Sequence, residues 1–197
     1  MKRVLSLITL LAFSWHLTLP SVSAQSHNGH VSSPTLPAMP PGLIQKIKQS
    51  IRDRYGTNPA NPTQEHFFDE PPPSGFFEAL RNKQLNVDKK PSEPTEDVCF
   101  VYEVKEGGET WKIKLSTIGK FAVLMRITEG KPLLIIATKP TQGPTRKMFD
   151  VITAYEYEVL DKRTLSIPLT LRISFLPGLT IKVYQALFTR RKKLPWE

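Results

Sequence analysis

Three histidines follow residue 24: His27, His30 and His66. None falls in residues 98–197, where the aliphatic residues concentrate. That distribution removes the commonest general base and metal ligand from the part of the chain able to build a core. It leaves no Ser-His-Asp or Cys-His arrangement there, and the sequence holds no P-loop, dinucleotide turn or zinc spacing. Glu156 and Glu158 share a strand face as i and i+2, a spacing open to carboxylate chemistry, although a solvated face explains them more simply. Cys99, flanked by Val98 and Phe100, reads as a small buried hydrophobe and rules out any internal disulfide. One metal site is conceivable. A cut after Ala24 would expose Gln25-Ser26-His27, whose amine, backbone amides and imidazole can enclose Cu(II) or Ni(II) in a square plane. Ordinary residues at a chain start account for His27 more simply, and no cofactor is expected.

Positive charge is the more informative chemistry. The formal net charge is +9, and residues 98–197 hold 17 basic and nine acidic side chains. Lys112, Lys114, Arg126, Arg172 and Lys182 alternate with apolar neighbours, so they project from the wet face of a sheet. Arg190, Arg191, Lys192 and Lys193 form a basic tail. Such a surface attracts an anionic partner: a protein, a membrane surface or an envelope polymer. Solubility alone is the simpler account of the same charge. Nucleic acid is not expected, because no pattern of stacking aromatics accompanies the charge.

The elements that must carry these residues divide the chain in three. Residues 1–24 have a basic start (Lys2, Arg3), an apolar run from Val4 to Phe13 and a small-residue Val22-Ser23-Ala24 site, the pattern of a cleavable signal peptide. Export to a periplasm or extracellular space is expected, with a thylakoid lumen left open. Cleavage would leave 173 residues, enough for one domain with extensions. Residues 25–97 hold 11 of the 18 prolines and read as a proline-rich arm, mostly extended. Within it, residues 42–55 place Leu43, Ile44, Ile47, Ile51 and Tyr55 on one helical face, with Lys46, Lys48, Arg52 and Arg54 around it. Docking on the chain's own sheet is the first expectation for that stripe; a membrane surface or a partner's groove are the others. A second, shorter helix starts near Phe76 and runs to about Gln84.

Residues 98–197 read as a β domain with a basic tail. The pattern predicts about seven strands: 98–105, 110–116, 121–127, 133–137, 150–160, 164–175 and 180–188. The fold class is mainly β: an antiparallel meander forming a sandwich, a barrel or a curved sheet, with one short N-terminal amphipathic helix. Trp111, Ile113, Leu115, Leu169, Leu171 and Ile173 are its expected core. Parallel pairing is not expected, since no connection reads as a crossover helix.

The hairpin from Val101 to Leu115, continued by Ile118-Gly119-Lys120-Phe121, resembles that of PepSY-type exported domains, which pair such strands with a small amphipathic helix. The resemblance covers about 25 residues of the 197. In that family the helix lies close before the hairpin, whereas here more than about 40 residues intervene and four further strands are expected. It implies a style of fold and assigns no functional residue. The function expected from all this is an exported, non-enzymatic binding or assembly domain with an anionic partner. A β cup for a lipid or other small apolar ligand is the alternative, and a hydrolase working through carboxylates comes third.

Overall fold

The structure, a computed structural model, describes residues 42–55, 71–91, 98–129, 131–136, 138–170, 180–191 and 193–197. All of them belong to one unit spanning Ala38–Glu197.

The architecture is mainly β, an open sheet with helices against it. Helices α1 (Leu43–Tyr55) and α2 (Phe76–Asn82) come first. Five strands follow on an antiparallel path: β1 (Asn86–Lys90), β2 (Cys99–Glu106), β3 (Glu109–Ser116), β4 (Phe121–Thr128) and β5 (Lys131–Ile136). Then come α3 (Pro144–Ala154), β6 (Glu158–Val159), α4 (Lys162–Leu165), β7 (Pro168–Leu169), β8 (Ile181–Lys182) and α5 (Val183–Phe188). β7 and β8 form a second, two-stranded sheet. The main sheet does not close into a barrel.

Four of the seven expected strands are present: β2, β3, β4 and β5. The other three are corrected. Residues 144–154 are helix α3, where a loop and the start of a strand at residue 150 were expected. Pro144 sits in the first turn, where a missing N–H costs nothing, and Met148, Phe149, Val151 and Ile152 bury one helical stripe. The alternation of residues 151–159 coincides with the end of that stripe and the turn after it. There Glu156 adopts a left-handed backbone, at φ 65°. Glu156 and Glu158 therefore share no strand face. The expected strand 164–175 opens as α4, capped by the Asp161 carboxylate accepting from the Thr164 N–H at 2.5 Å. Pro168–Leu169 are the strand β7, and residues 171–175 lie outside the described residues. The strand expected at 180–188 is a two-residue bridge followed by α5. All six α5 residues are buried, and periodicity cannot separate a buried helix from a buried strand. A parallel pair also occurs against expectation. β6 runs alongside β4, Phe121 opposite Glu158, with α3 in the connection between them.

Helices pack on both faces of the main sheet, and the expected wet face is reduced to the β1–β3 part of one face, where Asp88, Lys90, Glu103, Lys105 and Lys112 stand. Phe121, Ala122, Val123, Leu124 and Met125 on β4 are five consecutive buried residues. Odd-numbered β4 residues join one core with α1, α5 and Leu194. Even-numbered ones join a second core with Trp111, Ile113 and Leu115 of β3, α2 and α3. Of the expected core residues, Trp111, Ile113, Leu115 and Leu169 are buried, while Leu171 and Ile173 lie outside the described residues. α1 packs its stripe of Leu43, Ile47, Ile51 and Tyr55 inside the first core, on the chain's own sheet. Gly119, at φ 73°, admits that helix closely: a Cβ there would lie 2.9 Å from Ser50 Oγ.

Within the proline-rich stretch, α2 falls where a short helix was expected, and β1 adds an edge strand. β1 reads Asn-Val-Asp-Lys-Lys, too polar to signal a strand. It pairs in register with β2, Lys90 opposite Val101. Charged residues of this kind keep an exposed sheet edge from pairing with other chains.

Candidate functional site

The carbonyl end of α5 fixes the segment on which the site depends. A helix leaves its last carbonyls without intrahelical partners. Here three consecutive ones are met by side chains from three different elements. The Tyr55 hydroxyl of α1 donates to Ala186 O at 3.1 Å. The Ser116 hydroxyl of β3 donates to Leu187 O at 2.8 Å. The Cys99 thiol of β2 donates to Phe188 O at 3.2 Å. Cys99 is fully buried, which makes it a structural donor and no surface nucleophile. Burial pushes the Tyr55 phenol far above its ordinary range, with Arg190 and Arg54 opposing the shift, so Tyr55 stays a neutral donor.

Gln185 carries the path onward. Its amide oxygen accepts from the Lys182 N–H at 2.8 Å and its NH₂ donates to Arg191 O at 3.3 Å. The Thr189 hydroxyl accepts from the Arg191 N–H at 3.2 Å. At the far end the Glu197 carboxylate takes the Lys182 ammonium and the Leu194 N–H, the latter at 3.3 Å. Those two contacts hold the Glu197 carboxyl below its ordinary value, the lysine having the larger effect. Trp196 stands edge-on to Tyr184, ring centres 5.0 Å apart. Residues 189–191 and 193–197 are thereby laid along the face of the sheet that carries the odd-numbered β4 residues.

Between this tail and the sheet lies a half-open cleft of about 460 Å³. Lys112 and Lys114 rise into it from β3, Lys90 from β1, and Arg191 and Lys193 from the tail. Its lining contains five cations and no carboxylate. Val101, Met125, Tyr184 and Leu194 form the floor, each at most 8% exposed, so little apolar surface is available to a ligand. Ile127 and Pro195 are half-buried and Pro91 is exposed, so the accessible hydrocarbon of the lining lies with them. The Lys114 ammonium stands 5.8 Å from the Tyr184 ring centre, within cation–π range. The Glu103 carboxylate borders the cleft, 3.6 Å from Lys90 and 3.8 Å from Lys105, with Asp88 its register partner on β1. A smaller hollow of about 240 Å³ between Pro73, Phe100, Thr117 and Tyr157 carries a single cation, Lys120.

The basic residues singled out in the sequence part company here. Lys112, Lys114, Arg191 and Lys193 meet in the cleft. Arg126 points to the opposite face of the sheet and pairs with Glu109 at 2.6 Å. Lys182 is held by Glu197. Arg190 lies on the Tyr55 side. Arg172, Lys192 and His27 lie outside the described residues. Lys90, Thr189 and Gln185 were not foreseen. Gln185 had a legible signal, since one amide inside the apolar run Val-Tyr-Gln-Ala-Leu-Phe must find polar partners once buried.

Among the described residues no group of three His, Cys, Asp or Glu side chains could hold a metal ion. Nor is any described helix long and apolar enough to cross a membrane. The arrangement can hold negative charge against a fixed, mostly sealed floor. It offers no paired acid and base at a reacting distance within the cleft. The sequence matches no protein-family model, no curated protein and no solved structure.

Proposed function

We propose that this chain is an exported, non-enzymatic binding or assembly domain whose cleft takes an anionic partner. One observation carries the reading. Five cations from three separated stretches of sequence, β1, β3 and the tail, converge on one cleft with no carboxylate in its lining. Gathering like charges raises the local positive potential, which Glu103 and Asp88 offset only beside Lys90, at 3.6 and 3.9 Å, and such a potential favours an anion. The sealed floor favours this reading over a cup for an apolar ligand, which would need open hydrocarbon surface. Export rests on the sequence of residues 1–24.

Binding of the full chain to polyglutamate, followed by fluorescence anisotropy, tests the proposal. Affinity is expected to fall steeply between low and physiological salt, because exposed charges are screened over about 8 Å at ~0.15 M. Replacing Lys112 and Lys193 together with glutamine is expected to weaken binding by about fivefold to 25-fold, two exposed charge contacts having been lost. Salt-independent binding, or an unaffected double variant, would leave the basic surface as a solubility feature. Tight uptake of a fluorescent fatty acid, with no competition from polyglutamate, would favour the apolar cup.

A further inference from the structure

We infer that the cleft reads a short, extended acidic segment of a partner polypeptide, with carboxylates at alternate positions. This rests on the anion-binding reading above and names its ligand.

Three features of the geometry carry it. First, Lys112 and Lys114 are two residues apart on one strand, which sets their stems about 6.6–6.8 Å apart along β3. Carboxylates at i and i+2 of an extended peptide repeat at that same interval and project to one side. A peptide lying along β3 therefore presents one carboxylate to each lysine, and the tail cations Arg191 and Lys193 close over it from the other wall.

Second, the positive patch is short and bounded. Glu103 is the register partner of Lys112, and Asp88 that of Glu103, on the same sheet face. A uniform polyanion running past Lys112 toward β1 meets those two carboxylates at the cleft's edge. A peptide of defined sequence needs negative charge only over β3 and can carry neutral or basic residues beyond it. Like-charge juxtaposition of this kind acts against wrong partners more than it strengthens the right one.

Third, the floor suits a polar chain. Met125 is 1% exposed and Leu194 3%, so an acyl tail would meet Pro91, Ile127, Pro195 and the lysine stems but no open apolar floor. The half-buried Ile127 and the backbone around Thr189 can accept the neutral side chains of a peptide between its acidic ones.

Two synthetic peptides of equal composition distinguish the possibilities, titrated by fluorescence anisotropy into the full chain. One carries Thr-Glu-Thr-Glu-Thr, the other Thr-Glu-Glu-Thr-Thr. Inorganic polyphosphate and vesicles rich in anionic lipid are the competing probes. The alternating peptide is expected to bind about twofold to fivefold tighter than its isomer, the effect of one exposed charge contact. Lys112→Gln is expected to remove that preference while leaving the circular dichroism spectrum unchanged, which excludes misfolding as the cause. Glu103→Gln is expected to raise the affinity for polyphosphate, because the bordering charge is gone. Equal affinity for the two isomers, or polyphosphate or vesicles binding tighter than the alternating peptide, would overturn the segment while the anion-binding reading stands. Failure of every probe to bind would overturn both.

Discussion

Lys112 and Arg126 had the same signature in the sequence, a cation between apolar neighbours, and the fold treats them oppositely. They sit on adjacent strands of the sheet. The side-chain period of two sends even-numbered β3 residues and odd-numbered β4 residues to the cleft face, and Arg126 to the other. Arg126 is then paired to Glu109, while Lys112 lines the cleft. Alternation shows that a cation shares no face with its neighbours. It cannot show which of two covered faces a residue joins, because that depends on register. The buried polar residues were less legible still. Ser116 was read as a strand end, yet its hydroxyl serves the Leu187 carbonyl and also accepts from the Ile118 N–H at 3.0 Å. Ser116→Ala is expected to lower stability by about 1–3 kcal/mol, since it strands buried backbone groups without partners. Urea denaturation measures this, and a loss well below 1 kcal/mol would show that α5 finds other partners. The same variant should weaken polyglutamate binding, because α5 positions the tail.

At the scale of elements, legibility followed length and pattern. β2, β3 and β4 each run for eight residues with clear turns, and the sequence located them. α1 was equally clear, its stripe of four buried residues repeating at helical spacing. After residue 140, α3 was missed although Met148, Phe149, Val151 and Ile152 repeat at helical spacing, and α5 is short and buried on every side. There a helix such as α5 and a strand give the same run, and only tertiary burial decides between them. β1 failed for the opposite reason, being an edge strand with no apolar pattern to read. The tail is held as an element by Glu197, and that latch predicts a pH dependence. The Glu197 carboxyl is lowered in the folded chain from its ordinary value of 4.5, first by the Lys182 ammonium and then by the Leu194 N–H. A depressed folded value means the ionised form is favoured by folding. The contribution is therefore complete above the ordinary range and lost as pH falls through the folded value. Hydrogen exchange at Leu194 is expected to quicken as pH drops below about 4.5, once corrected for intrinsic rates. Glu197→Gln should quicken it at neutral pH and remove that dependence. An unchanged protection profile in that variant would show that Trp196 packing alone holds the tail.

For the molecule as a whole, the governing fact is that one sheet is shared by two cores. Strand β4 supplies Phe121, Val123 and Met125 to one side and Ala122 and Leu124 to the other. Neither core can lose its packing without exposing the backbone ladder that the other needs. α1 belongs to this assembly although it lies in the proline-rich stretch of the sequence, far from the strands it covers. Docking on the chain's own sheet was the first expectation for that stripe, but which strands and which face it covers was not legible in the pattern. Ile47 of α1 and Ile113 of β3 are both fully buried, one in each core. Ile47→Ala and Ile113→Ala are each expected to cost about 2–5 kcal/mol, the range for truncating a buried aliphatic side chain. Because the sheet couples the cores, both losses should appear as a lower midpoint of a single transition. Far-ultraviolet circular dichroism and tryptophan emission should report that transition together. Trp111 lies in the second core and Trp196 packs against the first, so emission samples both sides of the sheet. An early, separate transition in Ile47→Ala, with Ile113→Ala still unfolding in one step, would mean that α1 and the tail melt as their own unit. The cleft would then be lost before the sheet is, and polyglutamate binding in that variant should disappear at the first transition.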